Sequence, residues 1–386
     1  MRVDFYTGPE FLRSKQRTNP FIDPIIAVCK ANRIEYRVFV PSIKIKCGYD
    51  EAHVKSYRFI VFVHTWAWRI SRLLCRVSGL CVRRFAGSLV KFLWKDSFSS
   101  DVAVIMAGGA ECFLYWSLNV KRIVDLQHGV IYSRHRGYFD PNGRFLGAVN
   151  KSEVSNLEFW LFGQGYADCF FKHPDNIKDL QGRVKIIGDV VRAGEGENKE
   201  GRMKKEDGSG ARNLVVFSAQ LTADLAREEM VASVNRMEEF FDEFFKKFGD
   251  RYECFVKHHP RFANVYDMTG FFAKFPQVEV TKAQWAELYP RMALHVTFTS
   301  TVTFDCASVG VPTYLLEFPV AKILHREFWC DDYNYPYFDK TVGEILAIPA
   351  EETRRTMVEW YRKFYSPFDE KNCLQLLRGD DAFKPL

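Results

Sequence analysis

A chain of 386 residues with 47% hydrophobic, 16% aromatic and 26% charged content has globular composition, which excludes large-scale disorder and suits two domains of roughly 150–200 residues. Ten cysteines stand singly without a CxxC pair, which argues against a disulfide framework and a paired-ligand zinc site and points to reduced cytosolic thiols. The net charge of +6 is uneven: residues 1–100 carry 18 Lys/Arg against 7 Asp/Glu, or +11, so the remainder is net negative and the basic part calls for an anionic partner.

The N-terminal stretch MRVDFYTGPEFLRSKQRTNP has no apolar core of the kind that export signals carry. Residues 58–95 are richly apolar, but the uncharged run from Phe59 to Trp68 is ten residues, and about twenty are needed to span a bilayer. Arg69, Arg72, Arg76 and Arg83 recur at helical spacing, with Trp66, Trp68, Phe92 and Trp94 as amphipathic rings. This pattern predicts an interfacial helix pair on an anionic leaflet; a core helix with a solvated arginine face would share it, and Gly79 and Gly87 are expected to break either version.

From Asp101 onward the chain alternates. DVAVIMAGGAECFLYWSL predicts strand, turn and helix, RIVDLQHGVI a second strand and loop, NLEFWLFGQGYADCFF the same unit again, and VKIIGDV a further buried strand. Gly, Glu, Lys and Ser then displace nearly all apolar residues across 191–212, which predicts an exposed loop or linker. A second α/β rhythm follows, with strands in NLVVFSAQL, ECFVKHHP, LHVTFTST and VPTYLLE, a long helix from Ala226 to near Lys247, a short helix ending at Gly310 and an amphipathic helix over 351–365. The expected division is 1–190 for an N-terminal acceptor-side domain, 191–212 for the linker and 213–386 for a C-terminal donor-binding domain.

Two segments carry Lys, His and Pro in nearly the same order: Lys172-His173-Pro174 and Lys257-His258-His259-Pro260. Ligands of open α/β sheets bind beyond the carboxyl ends of strands. The second segment follows a strand and is a candidate site. The first follows a helix and reads as its end, with Pro174 stopping it and His173 near its negative pole.

Three loops hold reactive groups. His128-Gly129 after RIVDLQ offers a general base beside an open backbone. Lys257 to Pro260 places imidazole and ammonium groups after a strand, suited to a phosphate leaving group. Thr299-Ser300-Thr301 opens a helix with hydroxyls and free N–H groups, an anion site by chemistry and a simple N-cap by the plainer account.

Together, His128-Gly129, His259-Pro260 and Ser300-Thr301 with Phe304-Asp305 resemble the motif series of GT-B glycosyltransferases with cytidine-nucleotide donors. The pattern is most similar to the CDP-glycerol glycerophosphotransferases of teichoic acid synthesis, and is related in logic to bacterial sialyl- and Kdo-transferases. The resemblance covers residues 100–320. It implies an α/β GT-B fold, two Rossmann-like domains facing across a cleft. It implies His128 as the base on the acceptor hydroxyl, with Glu111 as rival base, and His259 on the departing donor phosphate. It places Ser300 and Thr301 on the same phosphate and adds Lys257, Pro260, Ser218 and Glu317 to the donor-binding set, with Asp305 orienting the helix. Thr301 departs from the second serine of the pattern, and the acidic base motif of sialyltransferases is missing.

The implied protein is an inverting transferase of bacterial surface polysaccharide synthesis that needs no metal and no further cofactor. Its donor is CMP- or CDP-linked and its acceptor a saccharide or lipid-linked hydroxyl. It works in the cytoplasm, peripherally at the inner face of an anionic membrane, without nucleic acid. Asp331-Asp332 reads as a loop, not a metal-ligand pair. The competing readings are a UDP-N-acetylglucosamine 2-epimerase-like enzyme, which needs cleft carboxylates for proton abstraction, and a non-catalytic lipid- or nucleic-acid-binding protein.

Overall fold

The computed structural model describes residues 1–14, 16–41, 44–78, 82–94, 100–106, 110–145, 154, 156–193, 212–222, 225–260, 266–317 and 325–380, with the side chains at 58, 71–78, 82–85, 91, 94, 110, 111 and 113 outside that description. The chain forms two compact units, Met1–Gly196 with Phe364–Leu386, and Glu197–Lys363.

In chain order the first unit holds β1 (Arg2–Tyr6), α1 (Asp23–Ala31), β2 (Glu35–Val40), β3 (Val54–Ser56), α2 (Arg58–Ser78), α3 (Val82–Trp94), β4 (Val102–Met106), α4 (Ala110–Ser117), β5 (Arg122–Leu126), β6 (Leu157–Leu161), α5 (Gln164–Phe171), α6 (Pro174–Leu180), β7 (Val184–Ile186) and α7 (Val190–Ala193). The strands pair in parallel in the order β3-β2-β1-β4-β5-β6-β7. A parallel sheet is covered on both faces, so its strands need continuous apolar runs. β4, VAVIM, is buried at every position, and β1 is buried from Val3 to Tyr6.

Asp4 is the exception within β1. Its carboxylate is fully buried and takes a bidentate pair from Arg37 on β2, with Nε at 2.8 Å and Nη2 at 2.9 Å. Burial pushes the Asp4 carboxyl up, and the Arg37 guanidinium opposes the shift.

Within this segment Arg58–Ser78 and Val82–Trp94 do form a pair of packed helices, α2 and α3, joined to α4. Gly87 does not break α3. A Cβ there would run into the Ser117 carbonyl oxygen of α4, so glycine permits the close crossing. The expectation for Gly79 falls outside the described residues. No helix among the described residues is long and apolar enough to cross a membrane.

The second unit holds β8 (Leu214–Ala219), α8 (Arg227–Phe248), β9 (Glu253–His258), α9 (Thr269–Lys274), β10 (Val278–Val280), α10 (Trp285–Leu288), β11 (Met292–Thr297), α11 (Val302–Ser308), β12 (Thr313–Leu315), α12 (Val342–Ala347) and α13 (Ala350–Phe364). Its parallel sheet runs β10-β9-β8-β11-β12. Met230, Val234, Met237, Phe241 and Phe244 of α8 recur at three- and four-residue spacing and are buried on one stripe. Phe240 and Phe241 pack on Phe217 of β8, with centroids 5.8 and 6.0 Å apart. Each such buried ring contributes about 1.5–3 kcal/mol relative to exposure. Gly310, two residues past the end of α11, has φ +73°, a conformation that would strain any side chain.

The expected end of the second domain at 386 is not the observed one. α14 (Glu370–Arg378) belongs to the first unit and packs on α1. Arg122 secures it: Nη1 donates to the carbonyls of Leu376 at 2.6 Å and Leu377 at 3.1 Å, while Nε and Nη2 each reach Glu158 at 2.7 Å. A guanidinium at a helix C-terminus satisfies carbonyls that have no helical partner. The expected linker at 191–212 lies almost wholly outside the described residues.

Candidate active site

The order of the second sheet reverses between β8 and β11, so the loops after these strands diverge and leave a site at the carboxyl edge. Ser218 of β8 is level with Lys257 of β9 and with Thr297 of β11, and Thr297 is level with Leu315 of β12. Two residues past that level, the four strand tips carry Gln220, His259, Thr299 and Glu317. The order β9-β8-β11 puts the β9 and β11 tips roughly 10 Å apart, at about 4.8 Å per strand.

Gln220, which the sequence did not single out, ties these loops. Its Oε1 accepts from Thr299 N at 2.9 Å, Thr299 Oγ1 at 3.0 Å and Thr297 Oγ1 at 3.4 Å. On the other side, His259 N donates to Ala219 O at 3.1 Å, which holds the His259-Pro260 turn against the β8 tip.

Several nominated groups are engaged within the protein. Ser218 is 5% exposed and lies 2.7 Å from His295 Nε2, whose Nδ1 is 3.0 Å from Thr313 Oγ1. The Ser218 hydroxyl thus links neighbouring strands and is not presented at the loop edge, contrary to its expected donor-binding place. Burial lowers the His295 pKa to about 3, so the ring is neutral in the fold. Lys257 Nζ donates to Ala283 O at 2.6 Å and lies 5.5 Å from the centre of the Trp285 ring. Desolvation lowers its pKa, with Glu287 opposing.

The Ser300 hydroxyl accepts from Val302 N at 3.3 Å at the start of α11, so it does serve in part as a cap. Thr301 is exposed at the N-cap position, and its side chain makes no capping bond. His258 is half-buried, which lowers its pKa. Glu317 is exposed and lines a cavity of about 720 Å³ beside β12, together with Arg236, His325, Arg326 and Asp331. Burial lowers the His325 pKa, against a hydrogen bond with the Phe298 backbone and the nearby Glu317 charge. Asp331 and Asp332 close a π-helical turn, Glu327–Asp332, instead of lying in the expected loop.

In the first unit, His128 follows β5. Its ring meets Phe11 edge-on, with centroids 5.4 Å apart. The buried Gln127 shapes the loop: its Nε2 donates to Gly129 O at 2.8 Å, and its Oε1 accepts from Phe162 N at 2.7 Å, beyond the tip of β6. A Cβ at Gly129 would meet nothing within 4 Å, so packing does not require glycine there and the backbone is open to approach. Glu111 stands in the first turn of α4, with its side chain outside the described residues. The Lys172-His173-Pro174 segment does follow the end of a helix, α5, which stops at Phe171, but His173 has a second role. It is the N-cap of α6, its Nδ1 accepts from Asp175 N at 3.3 Å, and Pro174 opens that next helix.

No family model matches the sequence, and no curated protein matches it. Solved structures do share its fold. UDP-GlcNAc 2-epimerase from Methanocaldococcus jannaschii aligns with a TM-score of 0.52 and 12% identity, over 98% of this chain and 99% of that one. UDP-GlcNAc 2-epimerase from Neisseria meningitidis, bound to UDP-GlcNAc, aligns with a TM-score of 0.50 and 11% identity over 98% and 99%. The wall teichoic acid polymerase TagF aligns at 0.46 and 12% identity over 98% and 88%, a score too low to bear weight. The fold is α/β of the GT-B type, with two parallel-sheet units.

Proposed function

We propose that the chain is an inverting, metal-independent transferase of bacterial surface polysaccharide synthesis that takes a cytidine-nucleotide-activated donor. The observation that carries the proposal is that Gln220, His259, Thr299 and Glu317 lie just past the carboxyl ends of neighbouring strands, with Thr299 N bonded to Gln220 Oε1 and His259 N to Ala219 O. An imidazole and a hydroxyl loop facing one switch point suit a leaving phosphate. In this reading His259 and Thr301 bind the departing phosphate, and Gln220 positions the Thr299–Thr301 loop. His128 removes the proton from the acceptor hydroxyl, with Glu111 as the alternative base. A positioned base supplies about 10²–10⁴-fold. The acceptor is a saccharide or a lipid-linked hydroxyl.

Calorimetric titration of CMP, CDP, UMP and UDP tests this directly. Cytidine preference is the expected result. At 100 times its Kd the bound nucleotide adds about 2.7 kcal/mol of stability, visible as a thermal shift. Uridine preference would favour an epimerase of the UDP-GlcNAc type, and no nucleotide binding would overturn both. Within the donor set, Thr301→Ala is cleaner than Ser300→Ala, because Ser300 also caps α11. A lost hydrogen bond to a charged phosphate costs about 1.5–3 kcal/mol, or ten- to a hundredfold in Kd.

A further inference from the structure

The paired helices α2 and α3 carry an aromatic face turned away from the first unit. Ile60, His64 and Ala67 of α2 and Ala86 and Val90 of α3 are buried. His64 Nε2 lies 2.9 Å from Ser117 Oγ of α4, and Trp68 packs 6.1 Å from Trp116. Phe59, Phe62 and Trp66 are instead 67%, 64% and 61% exposed, and Phe92 and Leu93 of α3 are 78% and 49% exposed. At 100° per residue, Phe59, Phe62, Trp66 and the exposed Arg69 fall within an arc of about 80°, nearly opposite the buried residues. The stripe is about 15 Å long at 1.5 Å per residue.

We propose that this face docks on an anionic lipid bilayer, with Phe59, Phe62 and Trp66 entering the headgroup boundary and Arg69 at its rim. Exposed large rings at this density are costly in water and mark a contact surface. Charge identifies the occupant. Residues 58–95 contain eight Lys/Arg and no Asp/Glu. A second copy docked symmetrically through this face would bring two such segments together, so self-association is opposed. An anionic leaflet attracts the same charge, and Phe and Trp are the side chains that settle at its boundary. The sequence pattern named Trp66, Trp68, Phe92 and Trp94 with the arginines. The structure moves the weight to Phe59, Phe62 and Trp66, with Trp68 half-buried against α4.

The test is co-sedimentation of the full chain with vesicles of phosphatidylcholine alone and with phosphatidylglycerol added, using wild type and the triple variant Phe59→Ser, Phe62→Ser, Trp66→Ser. The replaced side chains are exposed, so the variant should keep its melting temperature and its nucleotide affinity, which separates this inference from the reading of the second unit. Wild type should pellet with the anionic vesicles, and the triple variant should bind at least tenfold more weakly, about 1.4 kcal/mol. Emission from Trp66, obtained as the difference between wild type and Trp66→Phe, should shift to the blue on those vesicles. Equal pelleting of wild type and triple variant overturns the proposal. So does a lipid-free dimer that the variant dissolves, which would make the occupant a second copy. Loss of oligothymidylate binding in place of vesicle binding would make it a nucleic acid and equally overturn the proposal.

Discussion

Replacing Gln220 tests the assembly of the donor edge without touching a reactive group. Gln220→Ala removes one oxygen that accepts from Thr299 N, Thr299 Oγ1 and Thr297 Oγ1. Two of these bonds are short, and a typical one contributes about 0.5–1.5 kcal/mol net. The site is part-exposed and water can replace the acceptor, so the second unit should lose about 1–2 kcal/mol, or about 2–8 °C in melting temperature. Release of the Thr299–Thr301 loop should weaken nucleotide binding about tenfold. Gln220→Glu separates the two effects. A carboxylate accepts the same bonds, so stability should return. Its negative charge beside a phosphate bound as proposed, taken at about 5 Å, costs about 1–3 kcal/mol and should lower affinity below that of the alanine variant. The assays are calorimetric titration of CDP and scanning calorimetry of the apo variants. Wild-type affinity in Gln220→Glu would show that no anion binds at this edge and would refute the reasoning.

His173→Ala should cost about 0.5–2 kcal/mol as a lost N-cap in urea melts while turnover stays intact, whereas His259→Ala should abolish most turnover; equal losses would contradict the placement of both residues. Arg122→Ala leaves the Glu158 carboxylate, 16% exposed, without its cation though still bonded to Trp160 Nε1, and frees the end of α14, so about 3 kcal/mol should be lost and the segment after Phe364 should become protease-sensitive. His295 gives a pH dependence of definite sign. Its folded pKa is held at about 3, below the ordinary 6.5, so its contribution is fully present above pH 6.5 and is lost as pH falls from there toward 3, at about 1.4 kcal/mol per unit. Urea midpoints measured across that range should flatten in His295→Gln.

The strand–helix alternation after Asp101 was legible because parallel strands must be apolar on both faces, and VAVIM and LVVF satisfy that locally. The helix pair at 58–95 and the turn at Gly310 were legible for similar local reasons. β1 resisted identification because it carries Asp4 at a fully buried position, and the partner that makes this tolerable, Arg37, is 33 residues away. The return of α14 to the first unit depends on Arg122, 254 residues from Leu376, and no local pattern encodes it. At Lys172-His173-Pro174 the end of one helix was legible and the start of the next was not. α5 ends at Phe171 and α6 begins at Pro174, so the same Pro that cannot continue one helix opens the next.

The candidate site divides along the same line. The motif resemblance nominated Ser218, Lys257 and Ser300 alongside His259, Thr301 and Glu317. Type says what a side chain can do, whereas register and burial decide what it is left to do. Ser218 lies below the strand tips and is engaged with His295, one of the three Lys257 N–H bonds goes to Ala283 O, and Ser300 caps α11. Thr301 and Glu317 are exposed, and His259 stands where β9 has ended and the chain turns at Pro260. Alternation along β9 puts neighbouring His258 on the opposite face from Lys257, half-buried and with a lowered pKa. Of the two adjacent imidazoles, the one beyond the end of the strand is therefore the one the proposal assigns to the phosphate, and Gln220, unremarkable by type, is what holds the Thr299 loop in place.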